Sequence, residues 1–127
     1  LDGIDAIDYI PTGRDRIDPV SGRFDFSITD EDRSEAARGI AVAKEAMESG
    51  AYDLVILDEI NSTENLGMLN KQDILEALAS KKEHVEVVLT GRNPAQEFID
   101  AAHLVTEMRL ERHYFYSGVP AREGLDY

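Results

Sequence analysis

The 127-residue sequence predicts a single α/β domain over residues 1–127, with a mostly parallel, open sheet flanked by helices. Three observations predict it. Apolar segments of strand length alternate with segments of helical spacing, the order of βαβ units. "DLVILD" at 53–58 is a continuous apolar run, as in strands covered on both faces. Helix signals sit between the strands, in the form of N-terminal Thr or Asn and one closing Gly.

Each element has its own reason. "IDAIDYI" at 4–10 alternates loosely and is rich in isoleucine, so a short strand is expected. "PTGRDRIDPVSGRFDFS" at 11–27 carries Pro11, Gly13, Pro19 and Gly22 and reads as a loop. It is long for a connector, and long loops are usually functional. A helix is expected from Thr29, where "TDED" approaches a capping box through Asp32. Ala36, Ile40, Ala43 and Met47 form its apolar face and Gly50 its stop. The strand "DLVILD" follows. "NKQDILEALASK" at 70–81 is a second helix, capped by Asn70, with Ile74, Leu75 and Leu78 inward. "VEVVLT" at 85–90 is a strand. Asn93 is expected to cap a third helix with Pro94 at its first position and Phe98, Ile99 and Ala102 buried. "HLVTEMRL" at 103–110 is a last strand, and the tail is irregular.

The bulk numbers narrow the function. A net charge of −13 argues against nucleic-acid binding, which needs Lys and Arg to neutralise phosphates. A small anionic ligand stays compatible, because it feels the local field. No apolar stretch approaches the roughly 18 residues that span a bilayer. The start "LDGIDAIDYI" is not a signal peptide, so a cytoplasmic protein is expected. The absence of Cys excludes disulfides and thiolate chemistry.

Ligands of open parallel sheets bind outside the carboxyl ends of the strands. The first such end is "LDEIN". Asp58 and Glu59 could hold Mg²⁺, which takes one or two carboxylates plus phosphate oxygens, and Asn61 could add a hydrogen bond. Equally, an acidic pair closing a strand could only cap the next turn. The second end is "LTGRN", where Gly91 permits a close approach and Arg92 could hold a phosphate or ribose. An ion pair with one of 26 acids is the plainer alternative for Arg92. The third end, "MRLERH", gathers Arg109, Arg112 and His113; no second His or Cys stands at ligand spacing from His113. In the loop, "GRFDFS" places Phe24 and Phe26 two apart, to pack over the domain or to wall a large flat ligand. No nucleophile–base constellation, no GxSxG, no HExxH and no GxxxxGKS/T phosphate cradle occurs.

These residues bear a family likeness. "YDLVILDEIN" and "EHVEVVLTGRNPAQEFIDAAHLVTEMRLERHYFYSGVPAREGLDY" resemble the ATP:corrinoid adenosyltransferases of the cobalamin pathway, from about Thr29 to the C-terminus. The resemblance implies a P-loop, RecA-like fold, usually homodimeric, acting on ATP with Mg²⁺ and on a corrinoid reduced to Co(I), with a flavoprotein reductase as an electron source. Cobalt would attack the 5′-carbon of ATP, and triphosphate would leave. Glu59 falls at the family's magnesium-coordinating acid, with Asp58 beside it. Arg92 falls at an ATP contact, and Asn61 is taken as a second. Phe24 and Phe26 match the aromatic F-x-W pair of the corrinoid loop, with Phe in place of Trp. No side chain is expected as a general base, because Co(I) is itself the nucleophile. The family's N-terminal strand, Gly-rich phosphate loop and helix are not in this sequence. It is therefore expected to be a C-terminal fragment, inactive alone. Two alternatives stand beside this reading: another P-loop ATPase in which Glu59 activates water, and a noncatalytic corrinoid or nucleotide binder.

Overall fold

The computed structural model describes residues 4–122. Its elements run α1 (Asp30–Ser49), β1 (Leu54–Leu57), α2 (Ile60–Asn65), α3 (Lys71–Ala79), β2 (Glu86–Leu89), α4 (Gln96–Ala101) and a 3₁₀ turn at Tyr114–Ser117. β1 and β2 pair in parallel, Leu54 opposite Glu86 through Leu57 opposite Leu89. The α/β class and the parallel pairing agree with the sequence reading. Among the described residues the sheet has two strands.

The first helix forms as its sequence requires. Thr29 accepts from the Asp32 backbone N–H, and the Asp32 carboxylate accepts from the Thr29 N–H at 2.7 Å, which completes a capping box. Gly50, at φ 69°, ends the helix in the left-handed conformation that a Cβ would oppose. Asn70 caps α3 through the Gln72 N–H at 2.8 Å. Ala43 and Met47 of α1 meet Ile74 and Ala77 of α3, and with Leu57, Ile60, Val85 and Phe98 they make the core. Val55, Val87 and Leu89 pack against this cluster. The opposite sheet face carries Leu54, Ile56 and Val88, all exposed.

Four expectations need correction. Residues 4–10 form no strand; they bend, with the Ile7 N–H on the Ile4 carbonyl, and Ile4, Ile7 and Ile10 are exposed. Residues 103–110 also form no strand, and Leu104 and Met108 lie open to solvent. Both segments have strand composition, but a strand exists only against a partner, and neither is paired among the described residues. The third helix starts at Gln96 after an extended Ala95. Asn93 does not cap it, because its φ of 55° continues the turn begun at Gly91. Phe98 is buried there as expected, Ile99 half-buried, and Ala102 exposed. Finally, the six-residue α2 was not anticipated: "INSTEN" has neither a Ser, Thr, Asp or Asn cap before it nor an apolar stripe.

The long loop is not featureless. Ile17 and Phe24 bridge antiparallel around a turn at Asp18–Gly22, in which the Asp18 carboxylate accepts from the Val20 and Ser21 N–H groups. No helix among the described residues is long and apolar enough to cross a membrane.

Candidate functional site

Because β1 and β2 are parallel neighbours, their carboxyl ends lie side by side, and short polar contacts join them. The Thr90 hydroxyl donates to the Asp58 carboxylate at 2.6 Å and accepts from the Glu59 N–H at 2.9 Å. The Asn61 N–H donates to the Thr90 carbonyl at 3.1 Å. Ser62 Oγ donates to Glu59 Oε2 at 2.6 Å and accepts from the Arg92 N–H at 2.9 Å. One hydroxyl thus connects the candidate metal acid to the backbone of the candidate ATP-binding arginine. The approach is close enough to demand glycine at 91: a Cβ there would stand 2.9 Å from Ser62 Oγ and 3.0 Å from the Ser62 nitrogen. Glu59 itself has φ 57°, an uncommon conformation for a residue with a side chain.

An open cleft of about 420 Å³ lies at these strand ends. Glu59, Ser62 and Arg92 line one part of it, and Phe24, Phe26 and Arg16 another. The two phenylalanine rings lie 4.7 Å apart, tilted by 55°. Phe26 is 84% exposed, so this aromatic is not spent on covering the core. The hairpin therefore brings the candidate corrinoid aromatics to the same cleft as the candidate metal and nucleotide residues, although 33 positions separate Phe26 from Glu59 in the chain.

The other expected residues divide. The Arg92 guanidinium makes no ion pair or hydrogen bond with any described residue. The plain alternative of an ion pair finds no partner among the described residues. Asp58 does not line the cleft, and Thr90 engages its carboxylate. Asn61 is only 7% exposed and braces the turn, with Nδ2 donating to the Gly91 carbonyl at 3.4 Å. Its Oδ1 is buried and has no hydrogen-bond partner among the described residues, which leaves an unused acceptor beneath the site. Among the described residues no three His, Cys, Asp or Glu side chains gather into a metal cage. Arg109 pairs with Glu107 at 3.2 Å, His113 caps the 3₁₀ turn through the Phe115 N–H, and neither lines the cleft. The His84 ring lies 3.0 Å from the Gly50 carbonyl, a structural contact.

Sequence reasoning missed the support beneath Phe24 and Phe26. Arg14 and Arg16 both reach the Asp32 carboxylate, at 3.1 and 2.7 Å, and Asp32 is 3% exposed. Hydrogen bonding by the Thr29 N–H, chiefly, together with both arginines keeps this carboxyl below the usual carboxylate range. Asp25 is pulled down to about 2 by the Ser27 hydroxyl and N–H, and then by Arg14. The alternation Arg14-x-Arg16 facing Asp25-x-Ser27 across a turn was the available signal. Ser62, one helical turn after Glu59, was the other.

The family described as "ATP:corrinoid adenosyltransferase BtuR/CobO/CobP" matches residues 9–127, which include the hairpin and both strand ends. The chain belongs to this family. Its match starts well ahead of Thr29, so Phe24 and Phe26 fall within it. Among curated relatives, the corrinoid adenosyltransferase of Sinorhizobium sp. is 36% identical over 101 residues, which is 73% of this chain and 47% of that protein. The corrinoid adenosyltransferase CobA of Salmonella typhimurium is 35% identical over 75 residues, 59% of this chain and 38% of that protein. An uncharacterized protein of Nostoc sp. is 44% identical over 97 residues, 73% of this chain and 26% of its own length. This family member spans less than half the length of each of these relatives.

Proposed function

We propose that the protein transfers the 5′-deoxyadenosyl group of ATP to the Co(I) of a corrinoid, with release of triphosphate, in cobalamin biosynthesis or salvage. One observation supports this reading above the others. The cleft at the strand ends joins an exposed aromatic pair to a guanidinium unpaired among the described residues and an acid, so a flat macrocycle and a polyphosphate would find suitable surfaces within one site.

The residues divide the work. Phe24 and Phe26 offer ring faces to the corrinoid. Arg92 holds an oxygen of ATP as a fork of donors, a role suited by its guanidinium's lack of partners among the described residues. Asn61 acts mainly through the turn it braces. Glu59 fits as an Mg²⁺ ligand because it lines the cleft and supplies one carboxylate to an ion that accepts one or two alongside phosphate oxygens, while Asp58, outside the cleft, is engaged by Thr90. When bound, Mg²⁺ would neutralise charge on the leaving triphosphate. Ser62 orients Glu59 and fixes the Arg92 backbone at once. In the transfer, the electron pair of Co(I) forms the Co–C5′ bond. The C5′–O bond breaks, its electrons leave on the triphosphate, and cobalt becomes formally Co(III). No proton moves in that step, so the site needs orientation and charge stabilisation and no general base.

Parallel strands with ligand groups at their carboxyl ends also suit the finer RecA-like assignment. Homodimer formation and electron supply from a flavoprotein reductase belong to the same proposal. Incubation of the full gene product with MgATP and chemically reduced cobalamin tests it. Triphosphate and an alkylcobalt absorption spectrum are expected. ADP and phosphate, with no change at cobalt, would identify an ATPase in its place.

A further inference from the structure

Phe26 is the most exposed aromatic of the cleft, and among the described residues its only ring contact is Phe24. Packing therefore does little to aim it. Its backbone is held in another way. Arg16 Nη1 donates to the carbonyls on both sides of Phe26, to Asp25 at 3.2 Å and to Ser27 at 2.9 Å. Arg16 Nη2 rests on Asp32 at 2.7 Å. Arg14 repeats the pattern: Nη2 reaches the Ser27 carbonyl at 3.1 Å and Asp25 Oδ2 at 2.8 Å, while Nε reaches Asp32 at 3.1 Å. Both guanidiniums thus span from one buried carboxylate at the start of α1 to the arm that carries the ring. A helix cap alone needs neither arginine.

We propose that Asp32, acting through Arg16 and Arg14, is a positioning residue that aims the Phe24–Phe26 pair over the cleft and so sets corrinoid affinity; this rests on the corrinoid reading of the cleft. Arg16 lines the cleft, but its Nη1 is engaged by two carbonyls and its Nη2 by Asp32 and Met68 Sδ, so its task is to fix the arm. The geometry needs a planar fork. A lysine would restore the charge beside Asp32 and could not bridge the two carbonyls.

The test uses the full gene product and six variants. Arg16→Gln leaves the Thr29–Asp32 capping box intact and is the primary variant; Asp32→Asn is the second. Each is expected to raise the KM for cobalamin about tenfold, a loss of about 1.4 kcal/mol, with kcat and the KM for ATP within about twofold. Arg16→Lys should behave like Arg16→Gln. These 127 residues hold no tryptophan, so Phe26→Trp installs a reporter on the arm, read as the difference from the unsubstituted gene product. Its fluorescence anisotropy without ligand should fall when Arg16→Gln is added. An unchanged cobalamin KM in Arg16→Gln, an unchanged anisotropy, or wild-type behaviour of Arg16→Lys would each overturn the clamp. A Phe24→Ala/Phe26→Ala chain with unaltered cobalamin KM would instead bring down the corrinoid reading, and the clamp's role with it.

Discussion

Replacing Gly91 by Ala probes the junction of the two strand ends directly. Two separate costs arise. Glycine 91 has φ 116°, and a side chain in such a sparsely populated region costs about 1–3 kcal/mol. The second cost is steric. The new Cβ would meet the Ser62 backbone nitrogen at 3.0 Å, and that atom belongs to α2 and cannot swing away. To relieve the overlap, α2 must retreat from the Thr90–Arg92 turn. The bonds from Asn61 N–H to the Thr90 carbonyl, 3.1 Å, and from Arg92 N–H to Ser62 Oγ, 2.9 Å, would both lengthen. Each contributes about 0.5–1.5 kcal/mol, so the steric part adds about 1–3 kcal/mol. Gly13→Ala is the matched control. Its φ is 120°, yet nothing lies within 4 Å of the added Cβ, so the backbone cost stands alone. Urea unfolding followed by circular dichroism gives both values. If the two substitutions destabilise by the same amount to within about 0.5 kcal/mol, the close packing of turn and helix has no energetic content and the reasoning is wrong.

Two further outcomes are expected. Glu59→Gln keeps an acceptor for Ser62 and sits at an exposed position, so the melting temperature should move little, whereas the gain in ATP affinity on adding Mg²⁺ should shrink about tenfold or more; equal Mg²⁺ dependence by calorimetric titration would remove Glu59 from the metal site. Asp25 has its folded pKa lowered to about 2, so its contribution to stability is complete above the unfolded carboxylate value near 4 and is lost as pH falls through about 2. Asp25→Asn should flatten the stability profile across that acid window, and an unaltered slope in denaturant melts at several pH values would contradict the assignment.

Much of the fold was legible because its signals are local. α1 has a cap, a stripe and a terminal glycine within its own residues, and α3 has its Asn70 cap and inward Ile74. The continuous apolar runs of β1 and β2 announced strands, but they also read as covered on both faces, whereas among the described residues Leu54, Ile56 and Val88 leave one face exposed. What failed depended on partners elsewhere in the chain. The segments 4–10 and 103–110 carry strand composition, but pairing is a nonlocal event. Asn93 looked like a cap because Asn-Pro often opens helices; the left-handed turn after Gly91 uses it first. At the site, the acids and the arginine were legible as strand ends, because topology alone places strand ends together. The clamp on Phe26 was not, since Asp32 reads as a cap and nothing local links it to Arg14 and Arg16.

On the proposed role of Glu59 as a metal ligand, its left-handed backbone sets selection for heat resistance against selection for chemistry. A glycine there would relieve about 1–2 kcal/mol of local strain and would abolish the acid in the same stroke. A laboratory screen that rewards only thermal tolerance should therefore enrich glycine at position 59 and yield hardier, inert descendants, whereas a screen for turnover should keep the strained glutamate.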